Sequence, residues 1–280
     1  MPAPCLVCHS ATTEAFMLGP VRICDCPACG HRFAPNAAAA DHVDTVYNDT
    51  YFFGGGDGYD DYLKDADLLR AAGARYGHLL AEHQSVGRVL DVGAAAGFIL
   101  AGLQDTGWTG TGLDPNATMV AHARETLGLD AHVGTLEDTP PPGPFDAICL
   151  IQVIGHFHDI TRAIQNAAFS LAPGGICLVE YWNRDAWIAR RLGRRWHEYS
   201  PPSVLHWFTP DSLDALMARH ALSKIASGQP VKYISGRHAK SLLSHKAPAL
   251  AAPLRVIPDS LRIRYPTWDL AWSIYRKDQT

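Results

Sequence analysis

Between Arg88 and Tyr181 the chain alternates short, nearly uninterrupted apolar runs with stretches whose apolar residues recur every three or four positions. The apolar runs are "RVLDVG", "GTGLDP", "AHVG", "FDAICLIQVI" and "GICLVEY". Runs of this length, separated by helical patterns, predict strands buried on both faces. The stretches between them predict helices from Gly97, over 116–127 and over 159–171. Farther on, "ALSKIASGQPVKYIS" and "DLAWSIYRK" predict two more strands, with a helix near 237–246 between them. Upstream, Leu63, Ala66, Leu69, Ala72, Tyr76 and Leu79 fall close to a helical period and predict an amphipathic helix within 61–83. The alternation implies an α/β fold, doubly wound and Rossmann-like, whose mostly parallel sheet has seven strands.

Two segments before the sheet break this pattern. "APNAAAADHVD", residues 34–44, is low in complexity and reads as a linker. "YNDTYFFGGGDGYDDY" carries three consecutive glycines between tyrosines, and a glycine triplet forms no regular structure cheaply, so a lid with aromatic anchors is expected. The expected division is a ribbon over 1–40, a linker, lid and helix over 41–85, and the main domain over 86–280 with an insert at about 182–210.

Five of the seven cysteines lie in the first 29 residues, as "CLVC" and "CDCPACGHRF". Two CxxC pairs present four thiolates, the number that tetrahedral zinc takes, and the glycine after Cys29 lets the chain turn beneath the ion. Cys5, Cys8, Cys26 and Cys29 are therefore the expected ligands of a structural zinc, with Cys24 left over and His9 or His31 as possible substitutes. A segment this short lacks a core of its own, so a metal would fold it. Replacing Cys26 with Ser is expected to unfold the ribbon and spare the main domain.

Composition narrows the class further. With 47% hydrophobic residues the chain has ample material for a core. No apolar run approaches the ~18 residues of a membrane-spanning helix, and "MPAPCLVCHS" resembles no secretory leader, which leads us to expect a soluble cytoplasmic protein with no membrane partner. Lys and Arg number 24 against 28 Asp and Glu, so nucleic acid is not a default partner.

The first turn of the sheet, "VLDVGAAAG", is nearly bare of side chains. Such a turn at the carboxyl end of a parallel strand lets backbone approach a ligand closely. Its spacing is not the GxGxxG of a pyrophosphate cradle, and Asp91 two residues before the first glycine suits a cationic ligand instead. Taken in order, "VLDVGAAAG", "GLDP", "GTLED", "FDAICLIQVIGHFHD" and "LAPGGICLVE" resemble the motifs of class I S-adenosylmethionine-dependent methyltransferases. The ribbon, the tyrosine loop and "RRLGRRW…FTPDSL" resemble a bacterial subgroup that methylates small molecules, deoxysugar C-methyltransferases among them.

The resemblance implies roles residue by residue. Gly93, Ala94 and Gly97 would form the turn at the methionine end, with Asp91 positioning the ligand's ammonium. Asp114, followed by Pro115, would accept both ribose hydroxyls, Leu136 and Glu137 would contact adenine, and Gln152 would face the methionine. Ala95 stands where the family carries its middle glycine, a change tolerable where no positive φ is needed. Of the loop's Tyr51, Tyr59 and Tyr62, at least one is expected to close over the cofactor, with Tyr51 and Tyr59 the candidates for contact. Methyl transfer is an in-line displacement that needs a general base when the nucleophile is a hydroxyl. His156 is the candidate base, with His197 and His206 as alternates. Trp196, Trp207 and Phe208 are expected to line the acceptor pocket, and the arginines Arg184, Arg190, Arg191, Arg194 and Arg195 to meet an anionic acceptor. The function expected is O- or C-methylation of a small metabolite, sugar or natural product. The rival readings are an RNA methyltransferase that binds through its ribbon and a non-catalytic cofactor-binding protein.

Overall fold

The structure, a computed structural model, describes residues 3–35, 42–53, 62–240 and 258–279. The chain begins with β1 (Thr13–Leu18), β2 (Val21–Asp25) and β3 (Arg32–Phe33), then α1 (His42–Val46) and α2 (Asp49–Phe53). A single 3-10 turn, Tyr62–Asp65, leads into α3 (Ala66–Ala81). The main domain follows as β4 (Arg88–Val92), α4 (Phe98–Asp105), β5 (Thr109–Asp114), α5 (Ala117–Glu125), β6 (Asp130–Val133), β7 (Phe145–Ile151), α6 (Ile160–Ser170) and β8 (Leu171–Trp182). After it come α7 (Trp187–Leu192), β9 (His206–Trp207), α8 (Pro210–Ala218), β10 (Leu222–Gly228), β11 (Lys232–Ser235), β12 (Arg262–Tyr265) and β13 (Leu270–Lys277).

The helix starts follow from local chemistry. Asn116 accepts from the Met119 N–H at the head of α5, and Asp159 accepts from the Arg162 N–H at the head of α6. Thr209 and Ser212 form a reciprocal capping box on α8, with Pro210 in its first turn. Each cap satisfies backbone donors that the first turn leaves without a partner.

The main sheet has seven strands in the order β10-β13-β8-β7-β4-β5-β6. β8, β7, β4, β5 and β6 run parallel, and β13 and β10 add antiparallel at one edge. Leu90, Val92, Ile148, Leu150 and Val179 pack on α6 and α8, whereas Val89, Cys149, Leu178 and Ile274 pack with Leu80, Leu103 and Trp108 on the opposite side. Burial on both faces is why these strands read as continuous apolar runs.

Three features differ from the sequence expectation. The run "ALSKIASGQPVKYIS" is two strands: β10 stays in the main sheet, while β11 leaves it after Gln229-Pro230 and pairs with β12 in a separate two-stranded sheet. Proline donates no ladder hydrogen bond, so a strand breaks there readily. Of the helix expected near 237–246, residues 236–240 are helical and 241–246 lie outside the described residues. Trp196, Trp207 and Phe208 do not line the large cavity at the carboxyl ends of the strands; they are 2%, 1% and 1% exposed, in the core.

Those buried aromatics join the N-terminal segment to the insert. β3 pairs with β9, which gives a four-stranded sheet β1-β2-β3-β9. Phe16 and Ile23 pack with Trp196, Val204, Leu205 and Trp207. Cys5, Val7 and Cys26 belong to the same core cluster as Phe157, Ile160 and the central strands.

α3 and α4 cross at glycines. A Cβ on Gly102 would lie 2.0 Å from the Arg70 carbonyl oxygen, and one on Gly73 would lie 2.1 Å from that of Ile99. Alanine gains about 1 kcal/mol in helix propensity over glycine, but backbone overlap of this size costs more. Gly102→Ala is therefore expected to lower stability by about 1–3 kcal/mol, read as a lower denaturation midpoint with unchanged m-value. A more stable variant would mean the two helices have room to separate.

Candidate active site

The turn after β4 is pinned by hydrogen bonds to the end of β5. The N–H groups of Gly93 and Ala94 donate to the Leu113 carbonyl at 2.8 and 3.1 Å. The N–H of Ala95 donates to Asp114 Oδ2 at 2.8 Å, and that of Asn116 to Oδ1 at 2.9 Å. Ala95 holds φ 45°, so the position does need a positive φ, contrary to the expectation for this turn. A Cβ there adds on the order of 1–2 kcal/mol of strain, held in place by the Asp114 bond. Gly97, at φ 82°, caps α4, and a Cβ on it would meet Leu129 at 2.5 Å and Ala123 of α5 at 3.0 Å. Gly97 thus lets α5 pack close rather than touching the cavity.

A cavity of about 430 Å³ opens at the carboxyl ends of β4, β5 and β7, where open parallel sheets bind ligands. Gly93, Ala95, Asp114 and Pro115 form part of its wall, and Leu136, Glu137 and Gln152 continue it. Tyr47, Tyr51, Phe52 and Tyr62 cover it from the tyrosine segment, and His156 and His197 also line it. Tyr59 lies outside the described residues. Ala94 is not on the wall, and neither is any of the five arginines of the insert. Arg184 instead donates to the Gly30 carbonyl at 3.0 Å.

Buried acids cluster at this part of the cavity. Asp91 is 2% exposed, precedes the wall residues Val92 and Gly93 without lining the cavity itself, and its Oδ2 has no hydrogen-bond partner among the described residues. Burial, reinforced by the nearby Asp114, pushes its carboxyl up to about 7. Asp114 is pushed up to about 6 by burial, opposed by the two N–H groups it accepts. Glu137 is also shifted upward by burial, and its Oε1 accepts from the His158 N–H at 3.1 Å. Asp49 and Asn116 tie the tyrosine segment down: Asn116 Nδ2 donates to the Tyr47 carbonyl and to Asp49 Oδ1, both at 3.0 Å.

The three candidate bases have different surroundings. His156 Nδ1 lies 2.8 Å from the Ser203 carbonyl oxygen, which fixes the proton on that nitrogen, and 2.9 Å from the Tyr47 hydroxyl. Burial lowers its pKa. His197 packs edge-on against Trp182, with Nε2 3.3 Å from Glu198 Oε1. His206 is corrected outright: Nε2 lies 2.9 Å from the Phe157 carbonyl oxygen and Nδ1 lies 3.3 Å from His31 Nε2, so the ring is spent inside the protein. Burial brings its pKa down to about 4.

Sequence reasoning missed Tyr47, Trp182, Ser203, Lys232 and Tyr265, all of which line the cavity. Tyr47 lay within a segment already marked as aromatic. Lys232 and Tyr265 carry no motif, and only the separate β11-β12 sheet brings them to the wall.

At the N-terminal end, the sulfurs of Cys5, Cys8, Cys26 and Cys29 all lie within 4.8 Å of one another. The Cys5–Cys29 and Cys8–Cys26 pairs are 3.6 and 3.4 Å apart. Ligands ~2.3 Å from a tetrahedral zinc stand ~3.8 Å from each other, so the donor set fits that ion. Gly30 and His9, each directly after a CxxC, hold φ 75° and 61°. His9 is exposed and serves the turn, and His31 stands behind Cys5 with Nδ1 3.8 Å from its sulfur.

The family model described as "Methyltransferase domain" matches residues 62–226. The chain is similar to the ubiquinone biosynthesis O-methyltransferase of Rhodopseudomonas palustris, at 31% identity over 45% of this chain and 54% of that protein. It is similar to the enzyme of the same name from Paramagnetospirillum magneticum, at 32% identity over 45% and 51%. The chain thus spans about half the length of the curated relatives it matches. Among solved structures, the 1,6-didemethyltoxoflavin-N1-methyltransferase of Burkholderia thailandensis, with bound S-adenosylhomocysteine, aligns with a TM-score of 0.54 at 16% identity, over 95% of this chain and 99% of that one. That likeness concerns the fold. With the family model matching more than half of its residues, the chain belongs to the methyltransferase-domain family.

Proposed function

We propose that the protein transfers a methyl group from S-adenosylmethionine to an oxygen atom of a small-molecule acceptor. The observation that carries this reading is the buried Asp91 carboxyl, whose Oδ2 has no hydrogen-bond partner among the described residues, set beside a turn of small residues and near Asp114. An uncompensated buried carboxylate is costly and is stabilised by a cation brought against it. The ligand's ammonium is such a cation. Asp114 keeps one lone pair on each oxygen for the ribose hydroxyls, and Leu136 and Glu137 border the adenine region. The ligand supplies a methyl group activated on a sulfonium. The chain's own residues orient it and, with the tyrosine cover, exclude water.

A small acceptor is favoured by the cavity's volume of about 430 Å³, and oxygen by the names of the curated relatives. The RNA reading draws little support from the ribbon, whose Arg22 pairs with Glu14 and whose Arg32 pairs with Asp25. Among the described residues no helix is long and apolar enough to cross a membrane. We also assign a structural zinc to the four ribbon thiolates.

Asp91→Asn tests the central assignment in two directions. The wild-type carboxyl, raised in the folded state, binds its proton more tightly there than in the unfolded chain. Its contribution to stability is therefore greatest at low pH and falls between about 4 and 7. Without ligand, the Asn variant is expected to melt higher than the wild type at pH 8 and to lose this pH dependence. Its affinity for S-adenosylmethionine in calorimetry should fall at least about tenfold, the scale of one charge-assisted hydrogen bond. Unchanged affinity would remove the ammonium assignment.

The zinc assignment has its own test. Metal analysis should find about one zinc per chain. Because Cys5 and Cys26 share the main core, Cys26→Ser is expected to lower the melting transition of the whole protein, rather than unfold the ribbon alone. A separate low-temperature transition with the main one unmoved would contradict that coupling.

His156 is held by carbonyls and is read as a latch between the end of β7 and Ser203. In His156→Asn, S-adenosylhomocysteine production from a panel of hydroxylated acceptors should keep the wild-type shape of its pH profile. Loss of an acidic limb would instead make His156 a general base.

A further inference from the structure

Among the described residues, the cavity wall carries one Lys or Arg side chain, and the family match does not reach it. Lys232 lies on β11, beyond the matched segment 62–226, and pairs directly with Tyr265 of β12. Its ammonium stands 5.5 Å from the centroid of Trp182 and 5.7 Å from that of Tyr265. Among the described residues, its one hydrogen bond is donated to Gln152 Oε1 at 3.2 Å. An ammonium has three N–H donors. Two aromatic faces hold the charge by cation–π attraction but leave donors without a partner among the described residues, and Lys232 lines the cavity.

The carboxylates around Lys232 have other partners. Glu180 accepts from Tyr76 at 2.6 Å and from Gln152 at 2.8 Å. Asp269 accepts from Trp196 Nε1 at 2.7 Å, and Glu198 stands 3.3 Å from His197. Burial lowers the Lys232 pKa despite the pull of Glu180, Glu198 and Asp269. An anion placed against Nζ would restore the pairing that burial removes.

Gln152 gives this position its importance. It holds φ 56° at the end of β7, a strained conformation for a residue with a side chain. Its amide is fixed at both ends, by Glu180 on nitrogen and by Lys232 on oxygen. An acceptor oxygen against Lys232 would therefore sit beside the residue assigned to face the methionine. His206 offers no base there, because both of its ring nitrogens are engaged inside the protein.

We propose that Lys232 is the acceptor-binding residue of this site and that it takes the acceptor as an oxyanion, the ionised form of a hydroxyl of phenol or enol acidity. The inference rests on the methyl-transfer reading above and names its substrate class. The hydroxyl proton leaves to water as the acceptor binds. A lone pair of the oxyanion then forms the O–CH3 bond while the C–S bond breaks and its electron pair stays on sulfur. Oxyanion and sulfonium both become neutral, and Lys232 remains an ammonium throughout, so no base is consumed.

The test uses the full chain with saturating S-adenosylhomocysteine and para-nitrophenol as probe, whose ionisation is read by absorbance. Wild-type protein is expected to bind the probe saturably and to lower its apparent pKa by about one unit or more, a tenfold preference for the anion. Lys232→Met should abolish that preference while holding S-adenosylhomocysteine affinity within about twofold, and Lys232→Arg should restore part of it because the charge returns. Absence of saturable probe binding to the wild type would overturn the proposal. An unchanged preference in Lys232→Met would overturn it as well, and so would tighter binding of para-nitrobenzylamine, which would indicate an amine acceptor. Failure of the wild type to bind S-adenosylhomocysteine would overturn the cofactor reading itself.

Discussion

Two backbone N–H groups end on one carboxylate, and the rest of the site depends on that junction. Asp114 closes β5 and accepts from Ala95 in the turn after β4 and from Asn116 at the head of α5. The bonds hold Ala95 in a backbone conformation that alanine otherwise avoids. They also set the separation of the two strand ends between which the cavity opens. Asn116 carries the constraint outward, since its side chain caps α5 and grips the tyrosine segment through Tyr47 and Asp49. One buried acid thus orders the turn, a helix start and the cover of the cavity.

The site also concentrates charges that the apolar sheet does not neutralise. Asp91, Asp114, Glu137 and Glu180 are all buried, and each has its carboxyl pushed upward by burial. Lys232 is pushed the opposite way by the same loss of water. Left alone these groups weaken the fold, and a ligand of opposite charge stabilises both itself and the protein. Sites built for function commonly accept this conflict between stability and activity.

The N-terminal segment is less separable than its motif suggests. Its cysteines read as a small metal-folded unit, yet β3 finds its outer partner in β9, almost the length of the main domain away in sequence. His31 bridges the two by standing between Cys5 and His206, which is bonded to the Phe157 carbonyl beside the cavity. Metal ligands and cavity wall are joined through packed rings and hydrogen bonds rather than through a linker.

Features that rest on local pattern were legible in the order of the amino acids. Doubly buried strands announce themselves as apolar runs, and the seven-stranded sheet followed from their alternation with helices. Asp91, Asp114 and the CxxC cysteines stood out because their chemistry is tied to short spacings. Features that depend on contacts between distant segments came only with the folded chain. Trp196, Trp207 and Phe208 look like pocket residues when exposure is unknown, and they became core when β9 joined the ribbon. His206 lost its candidacy to His31 and the Phe157 carbonyl, neither of which lies near it in sequence. Lys232 gained its place because β11 turns out of the main sheet to pair with β12, bringing Trp182, Tyr265 and Gln152 around one ammonium. Spacing along the chain specifies elements and short motifs, whereas the partners of a buried charge are set by the packing of elements far apart in sequence.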